Sequence, residues 1–405
     1  MSAMSARHDV VIVGGGLVGA SLAIALDRLG RDVALVEATP PGEVPAVFDE
    51  RNLSFAAATV NALTALGVMQ RLRNPTGPIQ RIHVSRAGDF GRVLLSAQDY
   101  GRSAFGQVVV ARDFGTALED ALADCRHLTR YRPAKFLGVA AELDGMRRLR
   151  IATPDGQTEL STPLLVGADG SNSTVREALG IGAERHDYGQ RLFVARVRTS
   201  RAPDGTAWER FGNDGPTALL PRGDRHHGLI HGVPEAQAEA IAALDEAGWL
   251  AHAQEAFGWR AGRFLASGPR SAYPIVKVLA QRLAAPRAVL MGNAAQSIHP
   301  LGAQGFNLGL RDALTLAELM ADHEDPGSES LLADYVRRRQ PDRERTLRFS
   351  DGLARLTSNT APLLRPLRSA GLLAAGQVPT VQSMLVGGAM GFAGDVPALC
   401  REVAA

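Results

Sequence analysis

The chain of 405 residues has only two cysteines, Cys125 and Cys400, too few for a disulfide framework, so it reads as a protein of a reducing compartment. Of its 44 basic residues only Lys135 and Lys277 are lysine, which argues against a lysine-based mechanism. Net charge is also small: at +2 the chain lacks the basic excess of a nucleic-acid-binding protein. No uninterrupted apolar run is long enough to cross a bilayer, and neither repeats nor low-complexity tracts occur. What remains is a composition of 45% hydrophobic and 21% charged residues, that of a globular protein. The length allows two or three domains. Glycine is in excess, at 43 residues, and its placement carries the functional information.

Residues 9–26, DVVIVGGGLVGASLAIAL, imitate the core of a signal peptide, with Arg7 before them and Ala23-Ile24-Ala25 in place of a cleavage site. Asp9 and three consecutive glycines argue against that reading. The pattern is instead strand (Val10 to Val13), glycine turn, helix (Leu17 to Leu29) and strand (Val33 to Val36) ending in Glu37. Gly14, Gly16 and Gly19 fit G-x-G-x-x-G, in which the glycines allow a tight turn, backbone approach to a pyrophosphate, and close packing of helix on strand. The phosphates would meet the helix N-terminus at Leu17, and Glu37 would accept from ribose hydroxyls.

Further along, Ala57 to Leu66 reads as a helix, residues 79–95 as strands of a different sheet, and Arg112 to Ala123 as a helix after the strand Gln107 to Val110. Asp144-Gly145 marks a hairpin. Leu164 to Ala168 and Ala288 to Met291 look like buried parallel strands. Between about 182 and 285 short strands dominate, interrupted by one helical piece, Glu235 to Trp249. A long helix is expected from Phe306 to Met320.

Two more glycine motifs follow. Gly167-Ala168-Asp169-Gly170-Ser171-Asn172-Ser173-Thr174-Val175-Arg176 ends a strand and opens a helix, and Ser173 and Arg176 suit a nearby anion. The run from Gly292 to Gly309, GNAAQSIHPLGAQGFNLG, lets a loop approach a flat ligand at Gly302, Gly305 and Gly309, with a helix N-terminus at Gly305 to Leu308 facing it.

These three motifs, in this order and spacing over residues 9 to about 345, resemble those of the class A flavoprotein aromatic hydroxylases, of the p-hydroxybenzoate hydroxylase fold. Asn293 stands where the family usually has aspartate. That variant, together with Arg270-Ser271-Ala272-Tyr273-Pro274 and Arg338-Arg339-Gln340, is similar to the ubiquinone-biosynthesis branch. The resemblance implies an α/β fold: a Rossmann-like FAD-binding domain of the glutathione-reductase type, an inserted β-rich substrate domain and a C-terminal helical tail. The expected division is 1–75, 105–181 and 285–345 for FAD, 76–104 and 182–284 for substrate, and 346–405 for the tail.

The resemblance further implies FAD contacts for Gly14, Gly16, Leu17, Gly19, Glu37, Arg51, Arg112, Asp169, Asn293, Gly305, Phe306 and Asn307. Pro300, His299 and Tyr273 are the candidate catalytic residues. The implied reaction places one oxygen atom of O2 on the ring of a polyprenylated methoxyphenol, through a flavin C4a-hydroperoxide, with NAD(P)H as the electron donor. His299 reads either as a general base or as a histidine that orients its loop.

His226, His227 and His231 lack a carboxylate or thiol at ligand spacing, so no metal is expected and a solvated strand or hairpin accounts for them. Arg337-Arg338-Arg339 reads as a solvated helix face, or as a basic surface for partner proteins of the same pathway or for anionic lipid. Short helices after residue 352 would dock a partner or touch the bilayer, placing the protein in the cytoplasm, peripheral to the inner face of the membrane. The rivals are a sibling hydroxylase acting at another ring position or on a small phenol, and a non-catalytic flavoprotein scaffold holding a lipid intermediate.

Overall fold

The computed structural model describes residues 6–43, 50–140, 142, 144–358 and 365–401, with side chains at all of these except 353–358, 365, 367 and 368. Val10–Val13, Val33–Val36, Leu164–Gly167 and Ala288–Leu290 are buried at every residue, as unbroken apolar strands covered on both faces must be. They share a six-stranded sheet in the order Ala284–Ala285, Ala288–Leu290, Leu164–Gly167, Val10–Val13, Val33–Val36, Leu128–Tyr131. Pairing is parallel throughout except at the first pair. Helix Leu17–Asp27, buried from Gly19 to Leu26, packs against this sheet and against helix Gln304–Ala321.

A nine-stranded sheet runs in the order Gln296–Ser297, Ser271–Ala280, Ala183–Thr199, His227–Pro234, Pro216–Pro221, Thr206–Phe211, Arg81–Arg86, Arg92–Ser96, with Phe264–Ser267 also paired to Ala183–Thr199. Its two faces alternate along each strand. Phe193, Val197, Leu219 and Leu229 pack under Trp249 and Phe257 on one face. Leu192, Val194 and Ile275 form a separate apolar group on the other. Gln296–Ser297 joins this sheet directly after the six-stranded sheet is left at Leu290, so the loop that follows, through Pro300, is anchored between the two sheets.

Four expectations need correction. The segment Glu235 to Trp249 is two helices, Glu235–Ala242 and Glu246–Phe257. The break arises because the Asp245 carboxylate accepts from the Gly248 N–H and starts the second helix as its cap. Two of the three histidines are not solvated: His226 lies in a hairpin turn, but His227 and His231 are buried on strand His227–Pro234, donating to or accepting from Thr199 and Thr217, and His231 lies 3.0 Å from His252. The arginine run is not a uniformly solvated face either, because Arg339 has no solvent exposure at all. The tail helices Arg365–Gln377 and Pro379–Met390 cover part of the β-rich region, with Leu372, Ala375, Val386 and Met390 against Val93 and Leu95. Residues 359–364 of the expected tail lie outside the described residues.

The burial of Arg339 follows from helix Glu329–Ser358, which presents Tyr335, Arg339, Asp342, Arg343, Thr346 and Ser350 inward at helical spacing. Arg339 donates to Asp312 at 2.7 Å and to Asp342 at 2.5 Å, and Arg311 donates to Asp342 at 2.7 Å. Burial opposes ionisation of Asp342, but Arg311 and Arg339 outweigh it and hold the carboxyl down to about 2. Arg339→Met would leave Asp312 without its guanidinium and Asp342 with fewer partners. The expected loss is about 3–5 kcal/mol of unfolding free energy, read as a lower denaturant midpoint with an unchanged slope.

Candidate functional site

A cavity of about 870 Å³ lies between the two large sheets, within the roughly 300–1,000 Å³ range of sites for drug-sized ligands. One end is made by the glycine turns. The backbone of Gly14 has φ +106°, and a Cβ there would stand 2.5 Å from the Ala168 carbonyl oxygen, so the first and second motifs touch. A Cβ on Gly19 would strike the Gly14 carbonyl, while one on Gly16 would meet only open space. Gly16 is the N-cap of helix Leu17–Asp27 and supplies no side-chain cap, leaving N–H groups of the first turn turned toward the cavity at Leu17 and Val18.

Helix Gln304–Ala321 ends at the same cavity. Its N-cap, Ala303, has φ +50° and likewise offers no side-chain cap. Gly305 and Phe306 in its first turn line the cavity, with the Phe306 ring packed against Phe55 and Phe114. Two unsatisfied helix N-termini converging on one space are a strong anion preference built from backbone alone. Gly292, with φ +56°, and Asn293 border the space between them.

The acidic residues do distinct work. Glu37 lines the cavity and accepts from the N–H groups of Gly15 and Thr39, each at 2.7 Å, which fixes its carboxylate at the end of strand Val33–Val36. Asp169 also lines the cavity, but it caps helix Thr174–Ala178 by accepting from the hydroxyl of Ser173 and from the amide and hydroxyl of Thr174. Ser173 and Arg176, expected to meet an anion, are buried and otherwise engaged. Ser173 accepts from the Arg176 amide, and the Arg176 guanidinium donates to the carbonyls of Ala294 and Ser171. The second motif is thereby tied to the third.

The opposite wall is the apolar face of the nine-stranded sheet, with Leu192, Val194, Leu220, Ile230, Tyr273 and Ile275 toward the cavity. The Arg51 guanidinium lies 4.1 Å from the centre of the Tyr273 ring, and both border the cavity. Pro300 lines it as well. Its neighbour His299 faces a second, polar pocket of about 410 Å³, shared with Tyr188, Lys277 and Asp351. His299 Nδ1 accepts from the Leu301 amide, its carbonyl accepts from Ser350, and its ring meets Tyr188 edge-on at 4.7 Å. Burial pushes its pKa down to about 4, against a smaller opposing effect of Asp351, so the ring is neutral near pH 7.

Of the residues expected at the site, Gly14, Gly16, Leu17, Glu37, Arg51, Asp169, Asn293, Gly305, Phe306, Tyr273 and Pro300 border the one cavity. Gly19 lies behind the turn. Arg112 is outside the lining and pairs with Glu50 at 3.3 Å on an exposed surface. The Asn307 side chain is consumed internally, accepting from the Ala56 amide and the Thr59 hydroxyl and donating to the carbonyls of Ser54 and Ala303. The sequence motifs did not flag Lys277, which donates to Asp351 at 2.8 Å. The signal was present: Tyr273, Ile275 and Lys277 alternate along one strand and share a face.

The donor set fits FAD: two open helix N-termini for a pyrophosphate and a flavin edge, a fixed carboxylate for ribose hydroxyls, and an apolar wall for a flat ring. The FAD binding domain family matches residues 7–350. The chain is 33% identical to ubiquinone hydroxylase UbiL of Rhodospirillum rubrum, covering 98% of this chain and 93% of that protein. It is 29% identical to 3-demethoxyubiquinol 3-hydroxylase of Escherichia coli, covering 95% and 98%. Among solved structures, p-nitrophenol 4-monooxygenase PnpA of Pseudomonas putida superposes with a TM-score of 0.80 at 19% identity, over 96% of this chain and 99% of that one.

Two measurements test this geometry. Gly14→Ala places a methyl group against Ala168, and the purified variant is expected to carry less than about a tenth of the wild-type flavin absorbance while keeping its far-ultraviolet circular dichroism. The second concerns acid. Burial lowers the pKa of His227 to about 4, of His231 to about 3 and of His299 to about 4. Their neutral forms are favoured by folding, so this contribution is complete above the unfolded value of about 6.5 and is lost as pH falls toward the folded values. The melting temperature should fall between about pH 6.5 and pH 4.5, and His227→Asn should make that fall shallower.

Proposed function

The chain belongs to the FAD binding domain family and is an FAD-dependent oxidoreductase, and from that premise we propose that it hydroxylates the ring of a polyprenylated methoxyphenol in ubiquinone biosynthesis. The observation that carries the reading is the cavity itself. It joins two open helix N-termini to an apolar sheet face, with Pro300 at their junction. Nearness to the ubiquinone hydroxylase and to the 3-demethoxyubiquinol 3-hydroxylase over nearly the whole chain supports the substrate class.

FAD, when bound and reduced by NAD(P)H, supplies the activation of O2. The chain's own groups then have separable tasks. The first-turn amides at Leu17 and Val18 hold the pyrophosphate, and Glu37 takes the ribose hydroxyls. The first turn at Gly305 and Phe306 would present its N–H groups and helix dipole to one edge of the flavin, where they favour negative charge. Pro300 supplies a rigid wall with no N–H at the face where oxygen is used. Leu192, Val194, Ile230 and Ile275 keep that face dry, which suppresses unproductive release of hydrogen peroxide.

His299 positions this loop rather than taking a proton. Its Nδ1 is occupied by the Leu301 amide and its ring is neutral. Tyr273 presents its ring to the substrate space, backed by Arg51. We place the protein in the cytoplasm, peripheral to the membrane that holds its substrate. Among the described residues no helix is long and apolar enough to cross a membrane, and Leu373 and Met384 of the tail helices are exposed.

Intermediate profiling in cells lacking the protein tests the assignment. The expected result is accumulation of the decarboxylated, methoxylated polyprenylphenol, restored to normal by the wild-type gene. Accumulation of a different ring-oxidation intermediate would move the reaction to another carbon, and purified protein that holds flavin but shows no substrate-dependent oxidation by O2 would make it a scaffold.

A further inference from the structure

One carboxylate, Glu209, interrupts the apolar sheet face whose end at Val194 and Ile230 borders the cavity; Glu209 itself lies beyond that lining. Strand pairing sets Val194 opposite Ile230, Ile230 opposite Ala218, Ala218 opposite Glu209, Glu209 opposite Val84, and Val84 opposite Val93. Directly opposed residues point to the same face. Six strands therefore contribute one continuous row, and Glu209 is its only polar member. Val194 and Ile230 at one end of the row line the cavity. At about 4.8 Å between strands, Glu209 stands about 10 Å from Ile230 across the sheet.

Apart from Arg86, the described neighbours of Glu209 along its face are apolar. Ala207 and Phe211 flank it on its own strand. Phe211 packs with Leu301, next to Pro300, and Val84 and Tyr188 close the same group. Ile82, Val84 and Leu220 belong to the apolar cluster beneath the tail helices. The charged group on the same face of the next strand, Arg86, donates to the Gly212 carbonyl and to Asn213, and lies 3.8 Å from Asp89. His299, behind Leu301, is neutral. Desolvation alone pushes the Glu209 carboxyl up to about 7.

A half-buried carboxyl left without a hydrogen-bond partner among the described residues, on a dry surface, is costly, and the cost is relieved by a ligand that hydrogen-bonds to it. We propose that Glu209 is the polar anchor of the substrate pocket, hydrogen-bonded to the ring hydroxyl of the phenol while the rest of the sheet face contacts carbon. The inference rests on the phenol-hydroxylase reading above. It explains how an otherwise apolar wall sets the direction of a ring whose other substituents are a prenyl chain and a methoxy group. Ionised, Glu209 accepts the phenolic O–H in a charge-assisted bond. Protonated, it offers its own O–H to the phenol oxygen.

The test uses the FAD-loaded protein, with 2-methoxy-6-geranylphenol and its O-methyl ether as ligands and flavin absorbance as the binding signal. Wild type should bind the phenol more tightly than the ether. Glu209→Leu should lose about tenfold in affinity for the phenol and little for the ether, a difference of about 1.4 kcal/mol. Phenol affinity of the wild type should rise as pH passes about 7, and Glu209→Gln should remove that rise while keeping most of the affinity at lower pH.

Folding supplies an independent reading. A carboxyl whose folded pKa exceeds the unfolded value of about 4.3 loses stability as pH rises through about 7. Glu209→Leu should therefore raise the melting temperature more at about pH 8 than at about pH 5. Unchanged phenol affinity in Glu209→Leu, or equal losses for phenol and ether, overturns the inference alone. Wild-type protein that binds neither compound overturns it together with the reading on which it rests.

Discussion

Arg339 gives up all contact with water to bond Asp312 and Asp342, and through that arrangement one helix governs the back of the functional cavity. Beyond Leu331, Leu332 and Tyr335 the inward stripe of helix Glu329–Ser358 is polar where a helix core face is ordinarily apolar, and several of its groups fasten elements that carry the cavity wall. Arg339 reaches Asp312 on the helix whose first turn faces the ligand space. Arg343 donates to the Ala280 carbonyl on the nine-stranded sheet. Ser350 donates to the His299 carbonyl, and Asp351 accepts from Lys277 and Tyr188. A hydrophobic stripe would bury comparable area but would fix none of these directions. Hydrogen bonds of defined geometry hold the loop carrying Pro300 in one position relative to both sheets.

The other dependence is on places where no side chain fits. Gly14 touches Ala168, Gly19 touches Gly14, and a Cβ on Gly309 would stand 2.8 Å from Val18 and 3.1 Å from Gly292. These contacts chain the three motifs together in space although almost 300 residues separate the first from the last. Their consequence is electrostatic. Two helices can converge their N-termini on one cavity only if their first turns approach the strand ends closely, and the glycines permit that approach. The anion preference of the site is a packing result before it is a charge result.

This explains which parts of the protein were legible in its sequence. Parallel strands such as Val10–Val13 and Leu164–Gly167 are short apolar runs bounded by glycine, and a motif such as G-x-G-x-x-G ties residue type to backbone conformation at fixed spacing. Both are local, and both were readable. Arg176 and Asn307 looked equally local, yet their side chains hold distant segments together, a choice made by partners more than 100 residues away, while Ser173 is spent within its own motif on Asp169 and the Arg176 amide. Arg339 read as surface for the same reason, since its partner Asp312 lies on another helix. Glu209 carries no motif. Its place on the cavity side of the sheet depends on register between strands, and register appears only when the sheet is assembled.

Several charges at the cavity and at the neighbouring polar pocket are held by near neighbours. Glu37 is held by two backbone amides, Asp169 by a helix N-terminus, Lys277 by Asp351, and Arg51 lies over the Tyr273 ring. His299, the group best placed to add charge beside Pro300, is kept neutral by burial. The fixed field inside the cavity therefore comes chiefly from backbone dipoles at Leu17 and Gly305, which are insensitive to pH near neutrality. That leaves the apolar wall with Glu209, the proposed anchor, as a group whose charge changes near neutrality. Recognition of a phenol on such a wall would rest mainly on carbon contact, with orientation left to its few polar groups.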